Sequence, residues 1–91
     1  MTDAIARRVV VSGSVQGVFF RDSTRREAVR LGVAGWVRNC ADGTVQAHVE
    51  GDPDAVDALV RWCTEGPSHA DVADVDVGEA EVEGLSAFTV R

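Results

Sequence analysis

Between Asp52 and Gly66 the chain spells out an amphipathic helix that cannot be stable alone, and this demand constrains the rest of the fold. Asp52 is a ready N-cap, Pro53 fits the first helical position, and Gly66-Pro67 stops the helix. Val56, Leu59, Val60 and Cys63 fall at 0, 3, 4 and 7, an apolar stripe that needs a surface to cover it. Strands can supply that surface. Residues 8–13 read RVVVSG, a β-branched run ending in glycine. Residues 35–40 form a second apolar run, and Ala41-Asp42-Gly43 reads as a hairpin turn. Beyond it Val45, Ala47 and Val49 alternate with Gln46, His48 and Glu50, the period of a strand with one buried and one wet face.

A further helix is expected over residues 22–31. Phe20, Thr24, Ala28 and Leu31 share one face, and Gly32 terminates it. Thr24 and Glu27 have capping-box spacing, while Asp22 or Ser23 could equally cap. Val72, Val75 and Val77 suggest a fourth strand, bent or bulged near Gly78. Residues 87–91 suggest a short last strand with Phe88 and Val90 facing inward. The order is βαββαβ, with room for a small additional strand. It predicts an α+β, ferredoxin-like sandwich with two helices packed on one face of an antiparallel sheet. Ninety-one residues suffice for one domain, taken as 1–91. This fold hosts many activities and so settles none.

Charge narrows the choice. The formal net charge is −6, yet residues 1–40 carry +4 and residues 41–91 carry −10. The acidic balance argues against nucleic acid, which rewards neutralised phosphates. A small anion remains a fitting ligand, because a local arginine outweighs a distant field screened within about 8–10 Å. Cys40 and Cys63 are expected to be reduced thiols. Residues 1–8 lack the apolar region of a signal peptide, and no apolar run is long enough for a membrane span. A cytoplasmic monomer is the expectation. His48 and His69 are far apart, with no metal-ligand spacing around them, so no metal and no cofactor is expected. His48 reads as a wet-face strand residue and His69 as a loop residue. Cys63 reads as core filler, and Trp36 and Trp62 as core or core-edge packing. Arg25, Arg26 and Arg30 read as a solvated helix face paired with acids such as Glu27.

The segment from Gly13 to Arg21 has a different character. A strand ends, a loop containing Gly17 follows, and a helix begins near Arg21. Successive backbone N–H groups in such a loop can converge on an anion, and the helix N-terminus adds donors and positive potential. Arg21 would add a planar cationic fork matched to phosphate oxygens. Plain turn chemistry explains a glycine there equally well, and no Gly-Lys-Ser/Thr run points to nucleotide.

The wording of two segments is more specific. Val11-Ser12-Gly13-Ser14-Val15-Gln16-Gly17-Val18-Phe19-Phe20-Arg21 resembles the first acylphosphatase signature at every defined position. Gly35-Trp36-Val37-Arg38-Asn39-Cys40-Ala41-Asp42-Gly43-Thr44-Val45, with Gly51 beyond, resembles the second. Gly66-Pro67, Ala70 and Val72 also look like the family's connection after the second helix. The resemblance implies that Arg21 binds phosphate and that Asn39 holds the attacking water. It further implies that the backbone of Val15, Gln16, Gly17, Val18, Phe19 and Phe20 cradles the phosphate. The substrate would be a small acyl phosphate, hydrolysed by water without a metal to carboxylate and inorganic phosphate. Position 19 is glycine in many members and phenylalanine in others. The competing reading is a non-catalytic ferredoxin-like module that binds an anion or a protein, which has no evident need for Asn39. Thr44 is placed to orient Asn39 or to act as a plain strand residue, and Cys40 should turn away from the site.

Overall fold

The computed structural model describes residues 3–91. Its elements are β1 (Ile5–Ser14), α1 (Phe20–Leu31), β2 (Ala34–Asn39), β3 (Val45–Gly51), α2 (Pro53–Glu65), β4 (Asp71–Ala80) and β5 (Phe88–Val90). The sheet order is β4-β1-β3-β2-β5, the expected α+β sandwich. Its pairs are antiparallel except β2 with the added edge strand β5, which run parallel.

The alternation of β3 sorts its side chains as the sequence requires. Val45, Ala47 and Val49 join Val9, Val11 and Val37 in the core, under Phe20 and Ala28 of α1 and Val56, Leu59 and Cys63 of α2. Trp62 packs against the Phe20 ring at 5.8 Å between centroids. Burial pushes the Cys63 thiol up to about 12, so at neutral pH it is an uncharged space-filler. Gly32 ends α1 with φ 74°. The Gly32 N–H bonds to Val29 O and the Val33 N–H to Ala28 O, a Schellman closure. Gly35 is required for a different reason: with φ 146°, a Cβ there would stand 1.8 Å from the His48 carbonyl oxygen.

Several local expectations are corrected. α1 begins at Phe20, two residues earlier than the sequence suggests, and no side chain caps it. The Thr24 hydroxyl instead donates back to Phe20 O at 2.7 Å, inside the helix. Asp52 occupies the N-cap of α2 but caps with no side-chain hydrogen bond. The irregularity in β4 lies not at Gly78 but opposite Ser12 and Gly13, where the register with β1 shifts. Phe88 is buried as expected, whereas Val90 is 41% exposed.

His48 is the largest departure. It points to the face away from the helices, as alternation requires, yet only 4% of it is exposed. The segment joining β4 to β5 covers this face. Glu50, equally buried, accepts the His48 Nε2–H at 2.7 Å and the backbone N–H groups of Glu83, Gly84 and Leu85 at 2.9, 3.0 and 3.0 Å. Trp36 stacks on the His48 ring with centroids 6.1 Å apart, and Arg91 lies over Trp36 at 4.5 Å. A carboxylate thus pins the crossover to the back of the sheet.

Burial works to raise the Glu50 pKa, but the donors from Glu83, His48 and Leu85 outweigh it and hold the carboxyl below its ordinary 4.5. A pKa lowered by folding contributes stability that is complete above about 4.5 and is lost as pH falls through the folded value. Glu50→Ala, which strands three N–H groups, should cost about 3 kcal/mol. It should also flatten the fall in urea midpoint between neutral pH and pH 3; an undiminished acid response would show that other carboxylates carry it.

Candidate active site

At the C-terminal end of β1 the chain leaves the sheet at Ser14 and re-enters regular structure at Phe20. Within this loop Gly17 has φ 75° and Phe19 has φ 62°, while the residues on either side of each keep negative φ. Alternation of this kind is the backbone pattern that can turn successive N–H groups toward one side and make an anion-binding concavity. Phe19 occupies the left-handed region as the N-cap of α1, and the residue is 80% exposed. A phenylalanine held there costs on the order of 1–3 kcal/mol that a glycine would not. The first helical bond of α1 runs from the Ser23 N–H to Phe19 O at 3.0 Å, so the N–H groups of residues 20–22 have no helical acceptor and add to the donor field.

A cavity of about 500 Å³ opens in front of this loop, lined by Val15, Gly17, Phe19, Phe20, Arg21, Asp22, Arg25, Asn39 and Val90. Arg21 and Asn39, nominated from different segments, therefore face one space. Arg21 Nη1 donates to the Arg91 carbonyl at 2.8 Å, which holds the guanidinium at the rim with further N–H groups available. Asn39 is the last residue of β2 and sits on the helix-facing side with Val37. Cys40 turns away: its Sγ lies 3.8 Å from Gln46 Oε1 on the opposite face. Gln16 and Val18 belong to the loop but do not line the main cavity. Val18 instead borders a neighbouring depression with Pro67 and His69.

The Gln16 side chain does something that loop composition did not reveal. Its Nε2 donates to Cys40 O at 2.8 Å and to Thr44 O at 2.9 Å. These carbonyls belong to the turn after Asn39, which is closed by Cys40 N–H to Thr44 O and Gly43 N–H to Cys40 O. Asp42 rigidifies the same turn, accepting the Thr44 N–H at 3.0 Å and its hydroxyl at 2.7 Å. The Thr44 hydroxyl and then its N–H hold the Asp42 carboxyl below its usual range, so it stays ionised. Thr44 serves Asp42 rather than Asn39. The only sequence signal for this arrangement was the Asx-turn spacing of Asp42 and Thr44; nothing local marked Gln16.

The site's electrostatics are those of an anion receptor, with two arginines, one acid and a helix N-terminus on the lining. Among the described residues, no group of three or more His, Cys, Asp or Glu side chains is placed to hold a metal ion. No helix among them is long and apolar enough to cross a membrane.

Comparison with known proteins agrees in sequence and in shape. The family model described as Acylphosphatase matches residues 7–90. An acylphosphatase of Rubrobacter xylanophilus is 65% identical over 85 residues, spanning 92% of this chain and 77% of the relative. One from Anaeromyxobacter dehalogenans is 54% identical over 92 positions, spanning 100% of this chain and 99% of its own. Among solved structures, an acylphosphatase from Coxiella burnetii superposes with a TM-score of 0.93 at 43% identity, covering 97% of this chain and 93% of that one. With a match along nearly its whole length and a fold to accompany it, the chain belongs to the acylphosphatase family.

Proposed function

We propose that this acylphosphatase hydrolyses its substrate without a metal, by direct attack of a water that Asn39 positions on a phosphoryl group held by Arg21 and the backbone of residues 15–20. One observation carries the reading: a loop with alternating φ signs, a guanidinium and an amide from three different elements face a single cavity. All come from one chain, so a monomer is a sufficient working unit.

The chemistry asks little of a protein. An acyl phosphate is a mixed anhydride whose leaving carboxylate is already stable, so positioning and charge stabilisation suffice. Arg21 and the loop N–H groups offset the charge on the non-bridging oxygens. The Asn39 amide does not titrate near neutrality and so is no general base. Its carbonyl accepts a hydrogen bond from the water, which aligns the water with the phosphorus. The water then gives up its proton to solvent or to a phosphoryl oxygen as the acyl oxygen leaves.

Purified protein should release phosphate from acetyl phosphate in the presence of EDTA; a rate no higher than the uncatalysed one would end the proposal. Arg21→Ala should weaken competitive inhibition by phosphate by about 1.5–3 kcal/mol, the worth of a charge-assisted contact. Asn39→Ala should lower kcat by about 3–4 kcal/mol while phosphate still binds, as loss of a transition-state contact does. Full kcat in that variant would remove the water-positioning role. For Gln16→Ala, loosening of the turn should reduce kcat by about tenfold with little change in phosphate inhibition; an equal loss in both would mean that the side chain shapes the loop rather than the Asn39 strand end.

A further inference from the structure

The cavity continues past the phosphoryl position, and its remaining wall carries a cation that the mechanism leaves idle. Arg25 stands four residues after Arg21, so both side chains leave the same face of α1, and both line this space. The other arginines of that helix are neutralised locally. Arg26 pairs with Asp22 at 3.2 Å, and Arg30 pairs with Glu27. No described acid pairs with Arg25, which also borders the adjoining depression between α1 and residues 86–88. The walls near it are apolar and open, with Phe19 80% and Val90 41% exposed.

We propose that Arg25 is a specificity-determining residue that favours acyl phosphates whose acyl group ends in a carboxylate on a short aliphatic spacer. The inference rests on Arg21 and the loop as the phosphoryl site. A helix rises 1.5 Å per residue, so the Arg25 backbone lies about 6 Å beyond that of Arg21. With the phosphoryl group pinned at the helix N-terminus, an acyl chain directed along α1 through the shared cavity brings a terminal carboxylate to the guanidinium. A protein of net charge −6 disfavours a more anionic substrate. A cation within a Debye length of the site reverses that bias locally. Because Arg25 is exposed, the preference is several-fold rather than absolute, and salt weakens it.

The test compares kcat/KM for succinyl phosphate and acetyl phosphate in the wild type, Arg25→Gln and Arg25→Lys at low salt, with inhibition by inorganic phosphate measured alongside. Wild type should favour succinyl phosphate, and Arg25→Gln should lower the succinyl-to-acetyl ratio about fivefold. Arg25→Lys should keep most of the ratio, and added salt should compress it in the wild type. An unchanged ratio in Arg25→Gln overturns the inference. So does an equal loss on both substrates with weakened phosphate inhibition, which would put Arg25 on the phosphoryl group itself. Hydrolysis of acetyl phosphate by the wild type judges the Arg21–Asn39 reading separately. That reading survives a flat ratio, whereas no hydrolysis of either substrate removes both.

Discussion

The strands that carry the two halves of the site never touch. β1, which delivers the loop, and β2, which ends in Asn39, lie on either side of β3. Val11 and Asn39 face each other only through Val45, which pairs with both. Two strand spacings separate them, about 10 Å, and β3 begins only at Val45, leaving a notch at the end of the sheet. Gln16 bridges that notch. Its amide ties the loop to two carbonyls of the turn that follows Asn39, so the guanidinium's helix and the amide's strand keep a fixed relation. Without such a tie, the loop and the turn after Asn39 would lose their direct connection across the notch. A displacement of about 1 Å is enough to cost a positioned reaction heavily.

The back of the sheet is secured by a separate device with the same logic. A strand face meant for water becomes buried when the crossover from β4 to the far edge strand lies across it. Burying His48 and Glu50 there is tolerable because the carboxylate meets four donors and the ring meets the carboxylate. This clasp also reaches the site. β5 begins just beyond the pinned segment, and after it the Arg91 N–H bonds to Val37 O while the Arg91 carbonyl takes the Arg21 guanidinium. The segment that Glu50 pins and the residue that meets Arg21 are thus joined by one short stretch of chain.

The parts legible in the sequence are those fixed by near neighbours. The stripe of α2, the Asp-Gly turn, the alternation of β3 and the stop at Gly32 each follow from spacing within a few residues, and each is present. The two matched segments placed Arg21 and Asn39 on one cavity. The larger misses depend on distant chain. His48 looks wet until residues 83–85 arrive 35 positions later. The start of α1 shifts to Phe20 because the core takes its ring, which outweighs the capping preference of Asp22, Ser23 or Thr24. Val90 has the parity of an inward residue, but at the end of an edge strand inward means the cavity wall. Arg25 reads like its two neighbours on the helix, and spacing alone does not show that it lines the cavity while they pair with acids.

Phe19 shows how these constraints combine. A bulky residue at φ 62° is unfavourable unless its surroundings leave no alternative. Here the alternatives are closed from both sides. Upstream, Val15 is buried and Gln16 is bonded to the turn; downstream, Phe20 is locked in the core and starts the helix. Three residues must therefore join two fixed points, and positive φ at 17 and 19 achieves it. Glycine at position 19 would relieve the strain but add freedom to the unfolded chain, so the net gain would be smaller than the strain itself. What phenylalanine supplies instead is an exposed apolar side chain on the lining of the cavity. The same backbone angles that carry the chain from Gln16 into α1 leave that residue exposed on the cavity. In this chain, one loop conformation thus sets both the left-handed turns at 17 and 19 and the exposure of Phe19 on the cavity.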